Sequence, residues 1–182
     1  MSGILKVGGS ELINDNGGSG SLQWGSGVPA GSVIQVATDV VTETNSITTS
    51  YVNYYEVSIT LKSSSSDIIF IFSYDYHTTA DNEGHGLKVY RGNSATVSTS
   101  DSLIYDKSVS DTSGPLIGYG PLGNNYLRQN FNFKDSLSGF SVGNILYYGF
   151  FFRKRVSNAT VEIPTNQGQD GSFHTVLMEV QK

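Results

Sequence analysis

Apolar and polar residues alternate with a period of two over much of the chain beyond residue 30. The clearest case runs from Tyr55 to Leu61, where every odd position is apolar and every even position is polar. Because successive side chains of a β-strand point to opposite faces, this pattern predicts a strand with one buried face and one solvated face. A slip of one residue in its pairing would turn the apolar face to water.

Two other stretches are apolar on both faces for part of their length. In residues 67–77 the even positions are Ile, Phe, Phe, Tyr and Tyr, and Ile69 and Ile71 occupy the opposite face. In residues 145–152 aliphatic and aromatic side chains fill both faces. The first stretch is expected to begin buried on both faces and to end polar on one. The second is expected in the centre of a sandwich or at a subunit interface. The interface candidates at this second strand are Tyr147, Phe151 and Arg153.

The first and last strands predicted beyond residue 30 show a weaker contrast between their faces. In residues 32–40 most even positions are apolar, which assigns Gln35 and Asp39 to a wet opposite face. In residues 174–180 the even positions from 176 onward are again apolar. His174 shares that face, and we therefore expect it at the edge of the core.

Roughly nine or ten short strands result, separated by clusters of turn-forming residues. No window repeats the apolar spacing of an amphipathic helix, so helices should be nearly absent. These features predict an all-β fold, an antiparallel β-sandwich with jelly-roll connectivity more favoured than a closed barrel. Only 37% of the residues are hydrophobic but 12% are aromatic, so the core should be aromatic.

Residues 1–29 are predicted to form an extended arm before the sandwich domain of residues 30–182. Residues 14–21 and 25–29 are rich in Gly and Ser, which is the composition of a flexible linker. Two short strand-like pieces flank a Gly-Gly pair and suit a hairpin, or an arm that adds strands to a neighbouring chain. The attachment candidates in these pieces are Ile4, Leu5, Val7, Leu12 and Ile13.

Composition and charge exclude several classes of protein. The chain has no cysteine, which excludes disulfide scaffolds, thiolate zinc sites and cysteine nucleophiles. Its net charge of −5 and the absence of a long basic run argue against nucleic acid and anionic membranes as partners. No apolar run is long enough to span a bilayer. Stability is therefore expected from packing or from oligomerisation, and no cofactor is expected.

The cluster with metal-ligand character consists of Asp75, His77, Asp81, Glu83 and His85. Asp75 and His77 share one strand face, so both could reach a cation that a loop residue also binds. An ordinary polar loop is the simpler interpretation, because no recognised metal-binding motif is present. No Gly-x-Ser-x-Gly elbow occurs either, and no enzymatic activity is expected, although paired carboxylates for glycoside hydrolysis are not recognisable from sequence.

Two long polar stretches, residues 78–86 and 110–125, are the expected places for contact with another molecule. A rigid sandwich commonly carries its binding function on such loops. The second stretch is dense in Gly and Pro, and it would hold two tyrosines near a loop tip, partly exposed or tucked in to order the loop. The candidates at this loop are Tyr119 and Tyr126, and aromatic candidates for sugar stacking on residues 67–77 are Tyr74 and Tyr76.

Five segments carry the strand and turn patterns of a known group of proteins, without a chemical signature. They are Gly-Ile-Leu-Lys-Val at residues 3–7, Val-Pro-Ala-Gly-Ser-Val-Ile-Gln-Val at 28–36, and the segments 57–68, 87–92 and 172–180. Together these segments resemble short virion proteins of tailed phages, especially marine cyanophages. The resemblance covers most of residues 28–182 but leaves out the two long polar stretches.

The resemblance implies a β-sandwich subunit on the virion surface, usually trimeric and without enzymatic activity. Such a subunit serves as a tail fibre or tail knob that contacts the host, or as a capsid decoration protein. Its implied partners are copies of itself, other virion proteins bound through the arm, and a host-surface glycan or protein; it would be made in the host cytoplasm. The alternative from another class is a carbohydrate-binding module or glycan-active enzyme that shares the sandwich architecture.

Overall fold

The computed structural model describes residues 4–7, 10–15, 22–24, 28–42, 45–79, 84–108, 117, 125–155, 160–164 and 171–182. For residues 4–24 and 125–126 the description covers the backbone. The strands are β1 (Ile4–Val7), β2 (Ser10–Asp15), β3 (Leu22–Trp24), β4 (Val33–Val41), β5 (Asn45–Ser46), β6 (Val52–Thr60), β7 (Ser66–Thr78), β8 (His85–Gly92), β9 (Ser102–Lys107), β10 (Asn125–Ser136), β11 (Ile145–Lys154), β12 (Val161–Ile163) and β13 (Phe173–Gln181). These residues contain no helix.

Eight of the strands form a sandwich of two antiparallel sheets. One sheet has the order β4-β13-β7-β10, and the facing sheet has the order β6-β11-β8-β9. The short strand β12 pairs with β7 beyond the start of β13, and β5 pairs with β12. The chain crosses repeatedly between the sheets, and its first sandwich strand lies beside its last. This is jelly-roll connectivity, and the predicted fold class is confirmed.

The two ends of the sandwich differ in the parts of the chain that they carry. At one end, the arm end, the chain enters β4 and leaves β13, and the Gly31 N–H donates to the Gln181 carbonyl at 2.8 Å. The β6–β7, β8–β9 and β10–β11 connections lie at the arm end too. The opposite end, the loop end, is where β4, β7, β9 and β11 end and where β6, β8, β10 and β13 begin. The strands that flank the two polar stretches predicted for contact therefore meet those stretches at the loop end.

Aromatic rings fill the space between the sheets, as predicted. The centroids of Phe72 and Phe150 lie 4.3 Å apart, and Tyr148 meets Phe70 nearly at a right angle with its centroid at 4.7 Å. The predicted inward face of β6, the odd positions 55–61, is buried against these rings. Aromatic pairs in such geometries contribute about 0.5–1.5 kcal/mol beyond their burial, so the rings compensate for the low hydrophobic content.

Tyr74 and Tyr76 were predicted as surface contact residues, and the structure buries both completely. They belong to the inward face of β7, whose alternation continues to the end of the strand. The Tyr74 ring lies 5.1 Å from Phe152, and its hydroxyl is 2.5 Å from Nε2 of His85. The prediction is wrong because β8 and β11 cover this part of β7. Both tyrosines are core residues.

Beyond residue 34, β4 turns the opposite face to the core from the predicted one, and so does β13. Ile34, at the irregularity in their pairing, is buried as predicted. The buried positions of β13 are Phe173, Thr175, Leu177 and Glu179. In β4, Asp39 accepts a hydrogen bond from the Tyr55 hydroxyl at 2.9 Å, and Gln35 donates to the Thr60 carbonyl at 2.7 Å. Both partners belong to β6 of the facing sheet. The prediction is wrong because cross-sheet hydrogen bonds satisfy these polar groups, which removes the main penalty for turning them inward.

The arm forms a three-stranded antiparallel sheet of its own, in the order β1-β2-β3. The predicted hairpin is present, with Leu5 of β1 opposite Ile13 of β2. The third strand pairs with β2 and places Trp24 opposite Ile13 as well. The sequence pattern missed this strand because only three residues separate two glycine-rich stretches. The role of the arm residues in attachment stays a prediction.

Candidate functional site

The outer face of the β4-β13-β7 part of the first sheet is apolar. We call it the outer apolar face, and its residues are Val36, Val40, Ile69, Ile71, Val176 and Met178. Cross-strand pairing aligns them in rows, with Val36 opposite Met178 and Met178 opposite Ile69. Val36 is 56% exposed and Ile71 is 45% exposed. The predicted burial of both faces at the start of β7 is therefore wrong, since its second face meets solvent.

Charged groups flank the outer apolar face and pair within the chain. Asp67 lies 3.2 Å from Nζ of Lys134 and 3.0 Å from Nζ of Lys182. Burial opposes its ionisation, but hydrogen bonds from the two lysines and a backbone N–H outweigh burial and lower the pKa of Asp67. On the β10 side, Arg128 lies 3.9 Å from a carboxylate oxygen of Asp75. The rim therefore carries little net charge.

His174 also lies on this outer face, half-buried, rather than at the edge of the core. Its Nε2 is 2.5 Å from the Ser172 hydroxyl oxygen. Across the strands it stands opposite Val40 on β4 and Ser73 on β7. The face therefore combines valine, isoleucine and methionine with a few uncharged polar groups.

The arrangement of β4 and β13 is unusual for a surface sheet, because polar side chains face inward and aliphatic ones face outward. Large contiguous apolar patches are rare on the surface of monomeric proteins, and they mark interaction sites. The sequence gives no sign of this arrangement. Gln35, Asp39 and Glu179 are recognised as inward residues only when their partners in the tertiary structure are known. The outer apolar face is therefore a candidate binding surface, and the sequence pattern does not reveal it.

The outer face of the second sheet is partly covered by the chain itself. The predicted interface residue Phe151 is only 5% exposed, because the β8–β9 connection packs Val97 against it and the Tyr90 ring lies 5.1 Å away. Phe151 belongs to this small second core and is no surface for a partner. Tyr147 and Arg153 are half-buried, and Arg153 lies over the Tyr51 ring at 5.7 Å. Their interface role stays a prediction.

The predicted metal cluster is divided among different surroundings. Asp75 faces outward beside Arg128, His77 lies 3.3 Å from a carboxylate oxygen of Glu162, and His85 is in the core. Asp81 and Glu83 lie outside the described residues. Within the part of the chain that the structure describes, no three potential ligands come together. Asp75 and His77 share the outer face of β7, but β12 pairs with β7 at His77, and His85 belongs to β8 of the facing sheet.

The two tyrosines predicted at a loop tip have different outcomes. Tyr126 lies within β10, where its backbone pairs opposite His77, so it belongs to a strand at the loop end rather than to the loop. Tyr119 lies outside the described residues. Within the second polar stretch, Ile117 forms a β-bridge with His85 and is buried. Contact with another molecule at these tyrosines stays a prediction.

In the described residues, no helix is long and apolar enough to cross a membrane. No protein-family model and no curated protein sequence matches the chain.

Among solved structures, the chain is similar to dimeric latent PorU from Porphyromonas gingivalis, with 13% identity and a TM-score of 0.35 over 85% of this chain and 14% of that one. It is also similar to the VP2 subviral particle of infectious bursal disease virus, with 10% identity and a TM-score of 0.33 over 83% of this chain and 39% of that one. The structure of the Gx strain of that virus has 10% identity and a TM-score of 0.32 over 81% of this chain and 40% of that one. The chain thus spans a minor part of each matched protein. These similarities carry no argument about function.

Proposed function

We propose that this protein is a virion structural subunit, a homotrimeric tail fibre or knob protein that contacts the host. The observation that carries this proposal is the polarity of the jelly roll. The chain enters the sandwich beside its C-terminal strand at one end, and the strand ends that flank four connections lie at the opposite end. A subunit anchored by residues 1–29 would therefore present its loop end outward. The phage-like segments in the sequence support the same function.

The outer apolar face is the proposed subunit interface, and its occupant is a second copy of this chain. A chain with a net charge of −5 repels its own copies unless the contact surface carries little net charge. The outer apolar face meets this condition, because its residues are uncharged and the charged groups at its rim are paired within the chain. Apolar side chains that are left outside while polar ones are satisfied inside become buried on assembly.

We expect the combined substitutions Val36→Lys and Ile71→Lys to dissociate the assembly. Each introduces a charge within the apolar face, where it would be desolvated without a partner on assembly. Light scattering at micromolar concentration should give three times the chain mass of 19.6 kDa for the native protein and a single chain mass for the variant.

The matched control is Leu103→Lys with Val142→Lys, which alters two equally exposed apolar residues away from this face. This control should keep the mass of the native protein. A native protein that is monomeric, or a Val36→Lys/Ile71→Lys variant that stays assembled, would contradict the proposed interface.

Deleting residues 1–24 should leave a folded sandwich that no longer joins the particle. The strands of the arm pair in a sheet separate from the two sandwich sheets, so the jelly-roll ladders do not require them. Circular dichroism should retain the β spectrum and a cooperative thermal transition, while purified particles lose the subunit. Incorporation of the truncated protein at the native level would show that the arm is not the anchor. Immunogold labelling of native particles separates a tail position from the alternative, capsid decoration.

A further inference from the structure

A cleft of about 520 Å³ opens at the arm end, on the side of the second sheet. Its floor and rim are formed by the β10–β11 turn, the end of β8 and the start of β11. The lining side chains are Asn93, Phe140, Asn144, Ile145 and Tyr147, with Gly139 and Gly143 between them. The volume falls within the range of small-molecule sites.

The turn that forms the cleft is held in one conformation by its own hydrogen bonds. The Ser141 N–H donates to Oδ1 of Asn144 at 2.9 Å, and the Asn144 N–H donates to the Ser141 carbonyl at 3.1 Å. Gly139 and Gly143 adopt φ angles of +77° and +87°, which side chains rarely tolerate, and no atom lies within 4 Å of the position where a Cβ would stand. The two glycines therefore add no side chain to the walls of the cleft.

The lining combines two kinds of group that complement a sugar. Tyr147 and Phe140 offer aromatic surface against which the C–H face of a pyranose ring can pack. Asn93 and Asn144 carry amides that both donate and accept, as a hydroxyl group does. Arg91 lies over the Phe140 ring at 4.9 Å and thereby supports it.

The cleft selects against charged ligands. None of its lining residues is ionisable at neutral pH. Arg91, which lies over the Phe140 ring of the cleft, places Nη1 2.6 and 2.7 Å from the two carboxylate oxygens of Asp135, so its charge is already neutralised. A phosphate or a uronic acid would find no cation here to replace its hydration.

From these observations we propose that the cleft binds a neutral monosaccharide unit of a glycan. The glycan packs on Tyr147 and Phe140 and exchanges hydrogen bonds with Asn93 and Asn144. The site uses none of the aromatic residues that the sequence pattern suggested for sugar contact, and it lies at the opposite end from the loop end. The proposal does not depend on the virion assignment.

The test uses the full chain and four defined probes, the methyl glycosides of glucose, galactose, mannose and N-acetylglucosamine. Backbone amide shifts are followed by TROSY NMR during titration with each probe. At least one probe should produce saturable shifts confined to residues 93 and 139–147. Asn93→Ala and Tyr147→Ala should each weaken its binding by about tenfold or more, with thermal midpoints close to that of the native protein.

The matched control is Val142→Ala, which alters an exposed residue of the same turn that does not line the cleft, and its binding should equal that of the native protein. Glucuronic acid serves as the charged comparison and should bind more weakly than the neutral probe. Absence of saturable shifts with all four glycosides, equal binding by the two variants, or preferred binding of glucuronic acid would each overturn the proposal. Oligomeric mass and particle incorporation are separate readouts, so failure here leaves the virion function standing.

Discussion

Replacing Glu179 by alanine is expected to lower the free energy of unfolding by about 3–5 kcal/mol. Its carboxylate is fully buried in β13 and accepts hydrogen bonds from the backbone N–H groups of Lys62 and Ser63 at 2.8–3.1 Å. The Ser66 hydroxyl and the Gln35 side-chain amide donate to it as well, at 2.8 and 2.5 Å. Alanine would leave several of these donors buried without an acceptor, so the β6–β7 turn would lose its anchor on the first sheet.

Urea unfolding measures this effect, with two further variants to separate its causes. Glu179→Gln keeps one acceptor oxygen and nearly the same volume, so its loss should be smaller than that of Glu179→Ala. Asp106→Ala removes a carboxylate of β9 that is 37% exposed, and its cost should stay within about 1 kcal/mol. If Glu179→Ala unfolds at the same urea concentration as Asp106→Ala, the buried carboxylate does not hold the turn.

The second large effect is a loss of stability in mild acid that depends on His85. This side chain is fully buried, its ring lies 5.0 Å from Tyr76 and 5.9 Å from Phe152, and burial lowers its pKa to about 3. In the unfolded chain the imidazole has its ordinary pKa of about 6.5. Below that value the unfolded state binds a proton that the native state does not. The contribution is therefore complete above pH 6.5 and falls by up to about 1.4 kcal/mol per pH unit between pH 6.5 and 3.

A comparison with His85→Gln isolates this titration from that of the carboxylates. The difference in unfolding free energy between the native protein and the variant should be constant above pH 7 and should shrink as the pH falls below 6.5. The control is His174→Gln, which removes the half-buried outer imidazole and leaves His85 in place, so it should retain the loss of stability below pH 6.5. An acid profile of His85→Gln parallel to that of the native protein would show that His85 is not the group responsible.

The cleft and the outer apolar face illustrate why surfaces are harder to predict than strands. Asn93 and Tyr147 are separated by more than fifty residues in sequence, and only the β8–β11 pairing, which sets Tyr147 opposite Gly92, makes them neighbours. Likewise Val36, Met178 and Ile69 form one row because three distant strands pair in a particular register. Neither group has a local pattern that distinguishes it from ordinary strand residues.

By itself, the sequence determined the class of fold. A period of two, turn-forming clusters and abundant aromatic residues specify an all-β sandwich with an aromatic core, because alternation decides the conformation and ring volume fills the interior. The inward face of β6 could be predicted from its alternation alone, because its apolar and polar faces differ sharply.

The tertiary structure alone decided which face of β4 and β13 turns inward. Alternation shows that two faces exist, but burial depends on whether each inward polar group finds a partner. Glu179 finds N–H donors in the β6–β7 turn, and Asp39 finds the Tyr55 hydroxyl across the sheets. Those hydrogen bonds offset the cost of burying polar groups, and Val36 and its neighbours therefore lie on the outside. Whether a polar group is satisfied depends on partners from distant parts of the chain and not on the strand's own pattern.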